Sequence, residues 1–171
     1  DPAGQASQFA VAAASEHGTR TVAGAFPYAE GMRVALLRAV NVGGTGKLPM
    51  AALRELAGRL GLREARTYIQ TGNLVFRDGP AERLAGALAE EFGLSTEVMI
   101  RSAAELRAVV ASNPFPGAEA AKLLVYFLRD APAAEAMARV EELIFAAEEV
   151  RVQGREVYVH FQEGMGASKL S

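Results

Sequence analysis

Between Arg33 and Arg101 the chain runs through six short patterned segments, and their order restricts the possible folds more than any other feature of the sequence. RVALLRAV, Arg33 to Val40, is an apolar run broken by one arginine and closed by a glycine cluster, which fits a buried strand. Pro49 then suits a first helical turn, Met50, Leu53, Leu56, Ala57 and Leu60 recur at helical spacing, and Gly61 ends the segment. RTYI and NLVF read as two strands around Gln70, Thr71 and Gly72. A second helix starts near Pro80, places Leu84, Leu88 and Phe92 on one face and stops at Gly93, and TEVMI follows as a strand. Strand, helix, strand, strand, helix, strand is the split βαβ order, so an α+β, ferredoxin-like half is expected over residues 32–101.

The same order begins again further on. Ser102 and Glu105 form a capping box for a connecting helix that turns Leu106, Val109 and Val110 inward, and Asn113 to Gly117 break it, so residues 102–121 read as a connector. KLLVYFL, Lys122 to Leu128, reads as a strand, and Met137, Val140 and Ile144 lie on one face of a helix. EVRV and EVYVHF form a hairpin turning at Gln153, Gly154 and Arg155. The expected second helix and strand do not follow before Ser171, so 122–171 reads as a second ferredoxin-like half, truncated. Residues 1–31 lack a sustained period and read as a leader, tag or upstream extension ahead of Met32.

Composition excludes several classes of function. With no cysteine and only His17 and His160, thiolate metal sites, cysteine nucleophiles and multi-histidine metal centres are out, and no metal site is expected. No apolar run is long enough to span a bilayer. Residues 32–101 carry ten basic against seven acidic side chains, and 102–171 carry seven against ten. An anionic ligand would prefer the first half, although the same asymmetry suits two halves docking on each other. Nucleic-acid binding is disfavoured by the neutral body and by a strand, NLVF, with Phe76 as its single aromatic.

The clearest chemical signal is NVGGTGKLP, Asn41 to Pro49, between the first strand and first helix. Glycines let backbone amides turn toward an anion, the helix start adds positive potential, and Lys47 supplies a mobile charge. Asn41 and Leu48 stand where a Walker A loop needs glycine and a hydroxyl, and Pro49 stands where a dinucleotide fingerprint needs glycine. An anion site and a tight strand-to-helix connection with positive-φ glycines are both open. Arg38 is costly in an apolar strand unless it is paired, for instance with Glu97 or Glu163, or faces a ligand. In TYIQTGN, Gln70, Thr71 and Asn73 could bind a ligand beside Tyr68, or serve as turn chemistry. His160 shares a strand face with Tyr158 and Glu156, expected to be the wetter one, and no acid is recognisably paired to it. Glu90/Glu91, Glu141/Glu142 and Glu148/Glu149 read as solvated faces. Ser168 and Lys169, at a helix start, could join Lys47 around a phosphate or simply cap.

LLRAVNVGGTGKLPMAALREL followed by ARTYIQTGNLVF resembles the opening of the bacterial family catalogued as domain of unknown function 1697, and NPFP (Asn113 to Pro116) and EGMGASKL (Glu163 to Leu170) are similar to its later segments. The resemblance runs from Met32 to Ser171. It implies a cytoplasmic protein of two related α+β halves and carries no implied activity or cofactor. Its signature positions here are Arg38, Asn41, Gly43, Gly44, Lys47, Pro49, Tyr68, Gln70, Gly72, Asn73, Gly164, Ser168 and Lys169. The family pattern continues beyond Ser-Lys-Leu with a helix and an Arg-Asn-Trp stretch, where this chain ends. An open sheet edge is therefore expected in the second half, favouring a homodimer or strand exchange.

Overall fold

The computed structural model describes residues 9–13, 31–41, 46–68, 72–135 and 148–164. In chain order the elements are β1 (Phe9–Ala13), β2 (Arg33–Leu37), α1 (Met50–Arg59), β3 (Arg66–Tyr68), β4 (Asn73–Phe76), α2 (Leu84–Phe92), β5 (Val98–Ser102), α3 (Ala103–Ala111), β6 (Leu123–Phe127), β7 (Glu148–Gln153) and β8 (Glu156–Phe161). Short 3-10 turns at Ala81–Arg83 and Ala120–Lys122 precede α2 and β6. The strands form two four-stranded antiparallel sheets, and the chain divides into two compact units, residues 27–107 and residues 1–26 with 108–171.

In the first unit the strand order is β3-β4-β2-β5. Helix α1 begins after Pro49, whose extended ψ of 132° and missing N–H suit the position before a helix. At its far end Gly61, at φ 80°, turns the chain so that the Leu62 N–H reaches the Ala57 carbonyl at 2.9 Å. Gly93, at φ 62°, ends α2 in the same left-handed conformation. The apolar stripes expected of these helices meet the sheet: Leu53, Leu56, Ala57, Leu84 and Leu88 pack with Ala35, Leu37, Leu74 and Phe76, while Met50, Leu60 and Phe92 are half-buried at the margin. A fully buried leucine contributes roughly 2 kcal/mol. Strand β2 is buried on both faces, with Val34 and Leu36 as enclosed as Ala35, which explains why it reads as a continuous apolar run.

The capping box forms as expected: Ser102 N–H donates to Glu105 Oε2 at 2.7 Å and Glu105 N–H to Ser102 Oγ at 3.1 Å. Ala103 and Leu106 of α3 are buried, but Val110, expected inward, is 50% exposed. The division between the units falls inside this helix, so one apolar stripe does not serve a single core along its whole length.

In the second unit the order is β1-β6-β8-β7. The hairpin turns at Gly154 and Arg155, as the sequence suggests, with Gly154 at φ 62°. The helix expected over Met137, Val140 and Ile144 lies outside the described residues. On the face bearing Glu156, Tyr158 and His160, expected to be the wetter one, Glu156 and His160 are half-buried while Val159 and Phe161 on the other face are buried; Tyr158 alone departs from that pattern at 1% exposure, its hydroxyl donating to the Val109 carbonyl at 2.8 Å. Burial, with Glu156 adding to it, pushes the Tyr158 phenol up to about 12. Strand β6 carries β1 along its whole length, with Phe9 opposite Phe127 and Ala13 opposite Leu123. A segment set apart by composition as a leader thus supplies an edge strand.

Candidate functional site

The corner between β2 and α1 is built from hydrogen bonds to two residues, Arg38 and Asn41. The Arg38 N–H donates to the Glu97 carbonyl at 3.1 Å, and the Thr96 hydroxyl donates to the Arg38 carbonyl at 2.7 Å. The Arg38 guanidinium also reaches Glu97 Oε2 through Nη1 at 3.2 Å, both side chains being about one-third exposed (34% and 32%). Pairing with Glu97, one of the two readings open for this arginine, is therefore the arrangement present. Among the described residues Nη1 is the atom engaged, and the fork of a guanidinium carries further donors.

Asn41 closes the glycine loop on itself. Its Nδ2 donates to the Leu48 carbonyl at 2.9 Å, the Leu48 N–H donates back to Oδ1 at 2.8 Å, and its own N–H donates to the Gly46 carbonyl at 3.1 Å. The side-chain amide thus acts as an extra peptide group across the loop's neck, at a φ of 56° that asparagine tolerates better than most residues. Gly46, at φ 61°, has no room for a side chain, since a Cβ there would lie 2.8 Å from the Ala39 carbonyl oxygen. Leu48 anchors the loop in the core at 1% exposure. Lys47 beside it is exposed and has no ion pair among the described residues.

The TYIQTGN stretch reaches the same corner. Gly72, at φ 84°, passes so close to β2's end that a Cβ would lie 3.1 Å from Val40 and 3.3 Å from Leu37. Asn73 follows in β4, 4% exposed and opposite Tyr68 in the β3–β4 register. Thr67 accepts a hydrogen bond from Arg54 Nη1 of α1 at 2.7 Å. The two stretches singled out in the sequence therefore meet at one end of the first sheet. Gly43, Gly44, Gln70, Ser168 and Lys169 lie outside the described residues. The part played by Thr96 was not anticipated; its position beside Glu97, just before a strand antiparallel to β2, was the available signal.

Among the described residues, no group of three or more histidine, aspartate or glutamate side chains could hold a metal ion, and no helix is long and apolar enough to cross a membrane. Among the described residues, two antiparallel sheets with three helices and a glycine-bearing corner define a mixed α/β protein. The chain belongs to the family described as Protein of unknown function (DUF1697), whose model matches residues 32–158. A solved structure, that of a conserved bacterial protein from Streptococcus pneumoniae, is similar with a TM-score of 0.63 at 24% identity, covering 81% of this chain and 84% of that one. That likeness supports the fold. No curated protein matches the chain.

Proposed function

We propose that the protein binds a small anionic ligand, bearing a phosphate or carboxylate, at the corner between β2 and α1. The observation that carries this reading is the start of α1: it has no side-chain cap and no acidic residue in its first turn, and the exposed Lys47 precedes it by three residues. Uncapped amides and the helix dipole favour negative charge there, and the ammonium adds to the same potential. In this reading Arg38, held by Glu97, offers its remaining donors, and Asn41 shapes the loop rather than touching the ligand through its side chain. Gly43, Gly44, Tyr68, Gln70 and Asn73 complete the proposed set of ligand-binding residues in this unit.

We further propose that each unit is ferredoxin-like, a reading supported in the first unit by the β3-β4-β2-β5 order with a helix before β3 and another before β5. A cytoplasmic setting fits a chain without cysteine. A homodimer remains the proposed assembly, supported by a β6 edge whose strand comes from more than a hundred residues away and can be exchanged between copies.

The test is thermal unfolding in phosphate, sulfate and a panel of nucleotides. A ligand that binds only the native state raises the midpoint with concentration, and Lys47→Ala should abolish the rise. No shift with any anion, or an equal shift in the variant, overturns the reading.

A further inference from the structure

The second unit holds a hollow of about 390 Å³ between the turn after Pro116 and the β7–β8 hairpin, lined by Phe115, Glu119, Lys122, Glu149, His160 and Gln162 among others. Glu149 and His160 stand directly opposite each other in the hairpin register. His160 Nδ1 lies 3.1 Å from Glu149 Oε2, and Gln162 Nε2 donates to the same oxygen at 3.1 Å. Those two bonds, His160's first, hold the Glu149 carboxyl below the usual carboxylate range. An ionised carboxylate can only accept, so Nδ1 must carry the proton. In the neutral imidazole Nε2 is then a bare acceptor, fixed in orientation by the carboxylate as in a catalytic histidine–acid pair.

Beside this pair the chain holds an aromatic ring in place. Asn113 Oδ1 accepts from the Phe115 N–H at 3.0 Å and Nδ2 donates to the Phe115 carbonyl at 3.3 Å, so the side chain of the NPFP asparagine fixes the backbone of the phenylalanine. The Phe115 ring lies 5.5 Å from the His160 ring at a tilt of 41°, and the Arg151 guanidinium sits over it at 5.7 Å. Phe115 is half-buried, a ring held at a surface hollow rather than in a core. The charged groups around the hollow are Glu119 and Lys122, paired with each other at 3.1 Å, together with Glu149 and Arg151.

We propose that this hollow is a second binding site, for a small planar ligand whose weakly acidic O–H or N–H donates to His160 Nε2 while its ring packs against Phe115. The volume suits a one-ring ligand. A stronger donor makes the stronger hydrogen bond to this bare nitrogen, because the bond tightens as charge gathers on the donor atom. An acidic donor is thereby preferred over an alcohol of the same size.

The test uses the full chain labelled with ¹⁵N-histidine, observed by NMR at neutral pH and titrated with phenol and, separately, with cyclohexanol. His160→Asn identifies the His160 resonances against those of His17. The free protein should show Nδ1 protonated and Nε2 bare, and phenol should move the Nε2 resonance saturably while cyclohexanol leaves it nearly still. Phe115→Leu should weaken phenol binding by about fivefold and leave the tautomer unchanged. If His160→Asn does not fold, Glu149→Gln assigns the same resonance by releasing Nδ1. A proton on Nε2 in the free protein, a response to phenol that never saturates, or equal responses to the two alcohols overturns the proposal.

Discussion

Arg38 and Glu97 are joined twice, once through the backbone, with the Arg38 N–H donating to the Glu97 carbonyl at 3.1 Å, and once through an ion pair at 3.2 Å. The first bond continues the β2–β5 pairing beyond Leu37 and so brings the carboxylate to the guanidinium. Glu97→Gln should therefore keep the fold and lower stability in urea unfolding by only about 0.5–1 kcal/mol, the usual worth of a partly exposed pair. It should also strengthen phosphate binding at the corner, because the guanidinium loses its internal anion. Weaker phosphate binding in this variant would mean that Glu97 orients Arg38 for the ligand rather than competing with it.

Asn41 spans the neck of the glycine loop with a donor and an acceptor to Leu48. Asn41→Ala removes both bonds while keeping a side chain at positive φ, and should cost about 1–2 kcal/mol or more in chemical denaturation. Asn41→Gly relieves the backbone conformation but not the lost bonds, so it should fall between wild type and alanine. Equal losses in the two variants would show that the left-handed backbone contributes nothing.

Two glycines at positive φ should respond differently to alanine. Gly61, at φ 80°, has open space where a Cβ would sit, whereas at Gly46 the Cβ would meet the Ala39 carbonyl oxygen at 2.8 Å. Gly61→Ala should cost about 1–2 kcal/mol from backbone strain alone. Gly46→Ala adds a clash with backbone and should cost about 3 kcal/mol or more by thermal or urea unfolding.

Removing residues 1–13 deletes β1 and leaves the Leu123–Phe127 edge without its partner. An apolar unpaired strand seeks another, so the shortened chain should self-associate as concentration rises. Size-exclusion chromatography with light scattering reads this directly, and a monomer at every concentration would count against β1 as the cover of that edge.

Glu149 titrates below the usual carboxylate range, by the hydrogen bond from His160 first and that from Gln162 second. A folded-state value lower than the unfolded one means the unfolded chain binds the proton more tightly. The stabilisation is therefore complete above the ordinary glutamate range and is lost as pH falls through the depressed folded value. Carbon-detected NMR titration should place the Glu149 midpoint below that of an exposed glutamate, and His160→Phe should move it back up.

Much of the first unit was legible without coordinates. The 3.6-residue spacing from Met50 to Leu60 and from Leu84 to Phe92, with Gly61 and Gly93 as stops, marked both helices, because an amphipathic stripe and a left-handed cap are local requirements of a helix. The Ser102–Glu105 box was readable for the same reason. The Glu149–His160 pair was within reach, since a hairpin turning at Gly154 and Arg155 sets those residues opposite each other. It was missed because Glu148 and Glu149 read as a solvated face, whereas Glu148 is 7% exposed and Glu149 faces the imidazole.

What the sequence by itself determined was local: which segments form helices and strands, where glycines must turn the chain, and which residues cap. Tertiary structure alone decided the partners. Glu97 meets Arg38 because β5 runs antiparallel to β2, Asn41 spends its amide on Leu48 because the loop closes there, and Phe9–Ala13 lies on β6. Propensity and periodicity act over a few residues, whereas these contacts join groups that only strand order and register bring within a few ångströms.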